Sequence, residues 1–157
     1  MGVKKLLILL LLPIFSFGQV NTFPWTNDFE SFIALQEDPN DNGDWVLKQG
    51  PTSSANTGPS GDHTTGNGIY YYVESSYPGY PNQVFKTYTP TFDVSATPGK
   101  VLSFWYHMYG NAMGDLEIAV ISGGIYTPID TISGNQGDQW YFAYYPIAAV
   151  DSFKIAF

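Results

Sequence analysis

The chain of 157 residues is long enough for one domain with a buried core, and its hydrophobic content of 44% excludes a disordered protein. A formal net charge of −8, with only six Lys and Arg residues, argues against nucleic-acid binding because phosphate recognition depends on basic side chains. The absence of cysteine excludes disulfides, and the aromatic content of 17% favours β-sheets, whose pleated faces aromatic side chains cover well.

The first 18 residues have the pattern of a secretory signal peptide. Two lysines precede an apolar run over residues 6–15, and the small residues Ser16 and Gly18 follow it. Because the apolar run is short for a bilayer span, we expect cleavage near Gly18, with a retained membrane anchor as the alternative. The sequence therefore predicts an exported domain over residues 19–157 that does not insert into the membrane after cleavage.

Short alternating segments separated by turn residues follow the signal, and they predict an all-β sandwich or barrel. The predicted strands cover residues 45–48, 69–74, 83–88, 101–109, 116–122, 125–132 and 139–145. In the strongest of them, Leu102 and Phe104 share one face and Trp105 lies on the opposite face. A Gly123-Gly124 pair predicts a hairpin turn. No window has a convincing helical period, so no helix is expected.

An acidic segment over residues 38–43 is similar to the start of an EF-hand calcium loop. It has oxygen-bearing side chains at the first, third and fifth positions and Gly43 at the sixth. The twelfth position, however, is Gln49, where an EF-hand needs a bidentate Glu. The segment is therefore interpreted as a solvated acidic turn.

His63 and His107 are the only histidines, and they limit the chemistry that the chain can perform. Catalytic zinc takes three protein ligands, and the sequence has neither a His-Glu-x-x-His motif nor a Gly-x-Ser-x-Gly elbow. Ser60, Asp62 and His63 do not predict a triad, because close neighbours in one turn rarely reach that geometry. We expect no catalysis, with His63 hydrogen-bonded in a loop and His107 packed on a strand.

A tyrosine series offers a second class of function. Tyr70, Tyr71, Tyr72, Tyr77 and Tyr80 could together form a platform on which sugar rings stack, since aromatic rings supply a large rigid surface with a polar tip. The alternative is that the run alternates between core and surface and serves the fold.

Five segments occur in an order that is characteristic of one family. They are a Phe-Glu pair at 29–30, an acidic loop ending in Trp at 41–45, a Gly-Pro-Thr to Asp-His-Thr stretch at 50–64, an aromatic strand at 102–110 and a Gly-rich stretch at 134–140. In this combination the chain resembles the MAM domain, an extracellular adhesion and recognition module found in meprins, neuropilins and receptor tyrosine phosphatases.

The resemblance implies a jelly-roll β-sandwich of two antiparallel, concanavalin-like sheets, acting as a non-catalytic module of a larger secreted or cell-surface protein. The implied partner is a protein ligand or a second copy of the module, with a glycan as an alternative. It also suggests Glu30, Asp44 and Asp62 as ligands of a structural Ca²⁺ ion, which takes several oxygens at short range. The structural alternative is that these acidic residues stabilise turns.

The chain departs from the family pattern in two respects. Animal MAM domains usually carry cysteine pairs, and their absence here indicates a bacterial relative. The family's domain also ends in a further strand with an acidic segment, whereas this chain ends in an apolar run at 153–157, so we expect a missing last strand and an exposed sheet edge. The remaining alternatives are a jelly-roll carbohydrate-binding module and the non-catalytic part of a secreted metalloprotease whose catalytic domain lies outside this chain.

Overall fold

The computed structural model describes residues 18–32, 34–75, 82–148 and 150–157, and within these ranges the chain forms β-strands and no helix. The strands in chain order are β1 (Gln36–Glu37), β2 (Val46–Gln49), β3 (Ile69–Tyr72), β4 (Thr87–Tyr88), β5 (Phe92–Asp93), β6 (Lys100–Tyr106), β7 (Asp115–Ser122), β8 (Ile125–Ser133), β9 (Tyr141–Ile147) and β10 (Ser152–Ala156). All pairs among these strands are antiparallel. In the ranges described, no helix could cross a membrane.

Six of the strands form one sheet in the order β1-β4-β10-β7-β8, with β5 paired to β10. The strand β10 lies inside this sheet, because Ile155 pairs with Val120 of β7 on one side and Ala156 pairs with Tyr88 of β4 on the other. Alternating apolar residues make β10 suited to this position, and Ile155 is 1% exposed. Because β10 has a paired strand on each side, the exposed sheet edge expected from a missing strand does not lie at β10.

Two further strand pairs, β2–β3 and β6–β9, each form a separate two-stranded sheet. Leu102 and Phe104 of β6 pack onto a core cluster that includes Ile118 and Ile155 of the six-stranded sheet. Burying each of these two isoleucines contributes roughly 1.5–3 kcal/mol. The pair β2–β3 contacts the same sheet through Tyr71, whose hydroxyl lies against Glu37 of β1. The chain is thus an all-β jelly-roll sandwich of antiparallel sheets, as the sequence predicts.

The strands lie near their predicted positions, except where the backbone bonds to a neighbouring segment outside a regular strand pair or where a strand has only two residues. The strand predicted over residues 83–88 is reduced to β4, because the backbone at Val84 and Lys86 instead bonds to the acidic segment at Asn42 and Asp38. The strands β1 and β5 have two residues each, too few to show an alternating pattern. The predicted hairpin between β7 and β8 is confirmed, and both Gly123 and Gly124 take a positive φ.

Residues near the predicted start of the mature domain join the sheet. Val20 exchanges backbone hydrogen bonds with Thr91 and Asp93, each at 2.8 Å. Trp25 packs edge-on against Phe92, with ring centroids 5.2 Å apart. The predicted signal peptide, apart from Gly18, lies outside the described residues.

Candidate functional site

The loop over residues 61–68, called the Asp62 loop below, is organised by one carboxylate. Asp62 Oδ2 accepts hydrogen bonds from the backbone amides of Thr64 and Thr65, each at 2.9 Å. Its Oδ1 accepts from Thr65 Oγ1 at 2.8 Å and from the Gly68 amide at 2.6 Å. Burial alone would raise the pKa of this carboxyl, but these bonds outweigh it and lower the pKa to about 2. Asp62 is therefore ionised in the folded protein at every ordinary pH.

Glu30 joins the same loop from a distant part of the chain. Its Oε1 accepts a hydrogen bond from the backbone amide of Ile69, the first residue of β3, at 2.7 Å. A Cβ at Gly68 would lie 3.0 Å from Asp62 Cγ and would collide with Glu30 Oε1. The two carboxylates thus lie against the same glycine, and only a residue without a side chain fits between them.

The third predicted metal ligand is not part of this cluster. Asp44 is exposed next to β2, where its charge acts on Glu37 of β1. The described residues contain no group of three or more His, Cys, Asp or Glu side chains with the spacing of a metal site. The structure therefore brings Glu30 and Asp62 together and leaves Asp44 outside, and calcium binding stays a prediction.

The acidic segment over residues 38–43 forms a hydrogen-bonded turn. Asp38 accepts from the amide of Asn40 at 3.0 Å, and Asp41 accepts from the amide of Gly43 at 3.1 Å. The hydroxyl of Tyr88 also donates to Asp38, at 2.7 Å, which lowers the pKa of that carboxyl. These bonds within and around the segment are typical of Asx turns, as expected for an acidic turn.

Both histidines contact the ring of Trp140. His63 stacks on Trp105 with ring centroids 3.7 Å apart, and its ring meets the edge of Trp140 at 6.2 Å. His107, just past β6, has a side chain that is only 3% exposed and lies 5.4 Å from the Trp140 ring. The prediction that His63 lies in a loop is confirmed, whereas the prediction that His107 lies on a strand is wrong, because β6 ends at Tyr106. Nothing in the sequence indicated the aromatic contacts of either histidine.

His107 is paired with a carboxylate that sequence reasoning did not single out. Its Nε2 donates to Asp138 Oδ1 at 3.2 Å, and its Nδ1 is buried with no hydrogen-bond partner among the described residues. Burial lowers the pKa of His107, and the nearby charge of Asp138 opposes that shift only partly. The ring is therefore neutral at pH 7, and its Nε2–H orients Asp138.

The predicted tyrosine platform is not assembled from Tyr70, Tyr71 and Tyr72. Tyr70 is 5% exposed and donates to the carbonyl of Gly50 at 2.7 Å. The ring of Tyr71 stacks against both Phe29 and Trp45, and the hydroxyl of Tyr72 lies against Glu74. These three residues serve the fold, and Tyr77 and Tyr80 lie outside the described residues.

Exposed aromatic side chains occur instead on the outer side of the pair β6–β9. Four apolar side chains there are about half exposed, and we call them the aromatic face: Val101, Trp105, Phe142 and Tyr144. Trp105 is directly opposite Phe142 in the strand register, and their ring centroids are 5.1 Å apart. The alternation of β6 predicts that Trp105 points away from the core, which is the signal that could have identified this surface.

A shallow depression of about 340 Å³ lies beside Asp138. Asp138 and Tyr109 line one part of it, and the loop over residues 51–60, which is rich in Ser, Thr and Pro, lines the rest. Two backbone bonds hold these parts together: the Gly58 amide donates to the Tyr109 carbonyl at 2.8 Å, and the Gln136 amide donates to the Met108 carbonyl at 2.7 Å. The depression contains one carboxylate and no basic side chain.

Comparisons with known proteins agree with the fold and the motifs. A family model described as MAM domain, meprin/A5/mu, matches residues 26–157. A human protein named MAM domain-containing glycosylphosphatidylinositol anchor protein 1 is 35% identical over 136 residues, which cover 82% of this chain and 14% of that protein. Neuropilin-1a of Danio rerio is 32% identical over 123 residues, covering 75% of this chain and 13% of neuropilin-1a. The chain thus spans only about a seventh of the curated relatives it matches.

Proposed function

Since the chain belongs to the MAM domain family, we propose that it is a non-catalytic extracellular recognition module of a larger secreted or cell-surface protein. The observation that carries this proposal is the aromatic face, a half-exposed apolar surface on the regular strand pair β6–β9. Contiguous exposed apolar surface of this kind is typical of interaction sites. Its position on regular strands keeps the side chains preorganised for a partner.

Two features support an extracellular location. The predicted signal peptide directs export. The name of the human relative describes an anchor that attaches proteins to the cell surface through a lipid. Because the chain has no cysteine, it has no disulfides that would point to an oxidising compartment. Export is therefore inferred from the predicted signal peptide and the family alone. N-terminal sequencing of the exported product should begin near Gln19, and a membrane-bound product that retains Met1 would contradict cleavage.

The contacts of the polar residues support a non-catalytic role. The Asp62 carboxylate is used for four hydrogen bonds within its own loop, and none of them involves the His63 ring. His107 Nε2 is engaged by Asp138 in a buried setting. Peptide, ester and glycoside substrates should therefore be turned over only at background rates. Turnover that disappears on His63→Ala or His107→Gln, in variants that still fold, would show that the domain is an enzyme.

Selection of protein ligands tests the recognition role directly. The exported chain, immobilised through a terminal tag, would be offered a displayed library of random peptides and small folded domains. We expect reproducible enrichment of a family of ligands whose binding weakens when the aromatic face is changed. If no ligand is enriched over an immobilised control protein of similar charge, the recognition proposal is wrong.

A carbohydrate ligand is the second candidate, and the aromatic face itself favours it. Exposed Trp and Tyr rings stack on sugar rings as readily as on protein side chains. A glycan array incubated with the exported chain separates the two candidates. Binding to one glycan class that is lost in Tyr144→Thr would assign the domain as a carbohydrate-binding module, whereas an array without reproducible signal would leave protein recognition.

We also propose a weak structural Ca²⁺ site at Glu30 and Asp62. Both carboxylates lie against Gly68, and Glu30 Oε1, which accepts the Ile69 amide bond, retains capacity for a further interaction. The four bonds to Asp62 occupy both of its carboxylate oxygens, so an ion there would have to displace at least one of them. Calcium takes six to eight oxygens, so two carboxylates would need carbonyl oxygens or water to complete the shell. When bound, the ion would relieve the repulsion between the two charges.

The calcium proposal predicts a shift in thermal stability. Calcium should raise the Tm of the wild-type chain relative to chelator, because a ligand that binds only the folded state stabilises it. The shift should be lost in Glu30→Gln and kept in Asp44→Asn, which removes one acidic charge outside the cluster. An identical Tm with millimolar calcium and with chelator would leave both carboxylates as loop-stabilising residues only.

A further inference from the structure

Side-chain contacts link the aromatic face on β6–β9 to the surroundings of Asp138. From Trp105, ring contacts lead to His63 at 3.7 Å and from there to Trp140 at 6.2 Å. Trp140 packs on His107, and His107 holds Asp138 at 3.2 Å. A chain of side-chain contacts therefore connects the aromatic face to one fixed carboxylate, passing through the buried ring of His107.

The carboxylate at the end of this chain of contacts is exposed and held in place. The Asp138 side chain is 65% exposed, whereas its partner His107 is 3% exposed. Buried among rings, His107 acts as a positioning residue: it fixes Asp138 Oδ1 and leaves Oδ2 without a bond from this pair. A charge whose orientation is already fixed costs less entropy to engage than a mobile surface carboxylate.

The geometry points to one class of occupant: a segment of a partner protein that presents a Lys or Arg side chain beside apolar residues, the apolar residues on the aromatic face and the cation at Asp138. This inference rests on the proposed recognition function and specifies the partner's chemistry. Charge complementarity supports it, because the depression beside Asp138 has no basic lining residue and the whole chain carries a net charge of −8. A second copy would bring the same net charge and be repelled.

Sequencing the peptides enriched in the ligand selection tests whether the partner presents a basic residue beside apolar residues. Enriched peptides should contain Lys or Arg next to Leu, Phe, Tyr or Trp. The affinity of one enriched peptide, and of the same peptide with its basic residue changed to Gln, would then be measured by titration calorimetry. The proteins compared are the wild type, Asp138→Asn and, as a matched control, Asp151→Asn, which removes an exposed charge next to β10.

The expected outcome is a coupling between Asp138 and the basic residue of the peptide. Asp138→Asn keeps an acceptor for His107 and should weaken the basic peptide about two- to fivefold, as for an exposed charge pair. It should leave the Gln peptide unchanged, and Asp151→Asn should affect neither peptide. Phe142→Thr should weaken both peptides, because it removes apolar contact without changing charge.

Other outcomes would overturn the inference in distinguishable ways. Enriched peptides without basic residues, or equal affinity of the basic peptide for Asp138→Asn and wild type, would reject the basic partner while leaving protein recognition intact. A glycan that competes with the Gln peptide for the aromatic face would reassign the surface to carbohydrate. A dimer at micromolar concentration that dissociates in Phe142→Thr would assign it to a second copy.

Discussion

The Asp62 loop and the aromatic face differ in what their surface side chains contact. Those of the loop bond to other parts of the fold, whereas those of the aromatic face are left exposed. In the loop, the polar atoms of Asp62 are satisfied by backbone amides of the same loop, and Glu30 reaches across to the start of β3. On the aromatic face, Phe142 is 54% exposed and Tyr144 is 58% exposed, although both lie on a regular strand. The difference shows which surface residues hold the fold together and which are left for a partner. Four predictions test it.

The largest effect is expected from a side chain placed between the two carboxylates. Gly68→Ala puts a Cβ into contact with Glu30 Oε1 and Asp62 Cγ, so the amide bonds of both carboxylates must lengthen. We expect a loss of about 3 kcal/mol in the free energy of unfolding, measured by urea denaturation. Gly114→Ala is the matched control, because no atom lies within 4 Å of its added Cβ. Equal stability of the two variants would refute the close packing at Gly68.

Removing the carboxylate without adding bulk should have a smaller effect. Asp62→Ala leaves the amides of Thr64, Thr65 and Gly68 without their acceptor. Because water can replace part of these bonds in an open loop, we expect a loss of about 2 kcal/mol in the free energy of unfolding. Hydrogen exchange should accelerate at the Gly68 amide in particular. Unchanged exchange there would show that Asp62 does not hold the loop.

Acid should gradually remove the stabilisation that the ionised Asp62 carboxylate gives to the folded state. The pKa of Asp62 is lowered from 3.8 to about 2 by folding, so its ionised form stabilises the folded state at every pH above 4. The contribution is lost as the pH falls from 4 towards 2, because the unfolded state binds the proton over this range while the folded carboxyl stays ionised until the pH approaches 2. The stability difference between wild type and Asp62→Asn should therefore shrink over this range. A difference that is constant from pH 6 to pH 2 would contradict the lowered pKa.

The smallest effect on stability is expected on the aromatic face. Tyr144→Thr replaces an exposed ring by a residue that suits a β-strand, opposite Ser103 in the register. The free energy of unfolding should change by less than about 0.5 kcal/mol. Ala143, buried on the inner side of the same strand, provides the contrast: Ala143→Asp should prevent folding. A large loss in Tyr144→Thr would mean that the ring serves the fold and not a partner.

Local sequence patterns were sufficient for most of the strands and for one feature of the surface. The alternation of β6 separates Leu102 and Phe104, which pack on the core, from Trp105, which is 45% exposed. The glycine pair between β7 and β8 predicts the hairpin because both residues take a positive φ. These predictions succeed because strand periodicity and turn chemistry are properties of neighbouring residues.

The tertiary structure alone decided which polar residues meet. Glu30 bonds to an amide 39 positions further along the chain, and His107 bonds to Asp138 across 31 positions. Nothing in the local sequence of Asp44 distinguishes it from Asp62, yet only Asp62 lies against Gly68 with Glu30. Contacts between residues so far apart in the sequence depend on the order of the strands and on which loops lie together at one end of the sandwich. The sequence by itself therefore determined the family, the all-β class and the outward position of Trp105. Long-range packing decided the carboxylate cluster, the burial of His107 and the contacts that connect the aromatic face to Asp138.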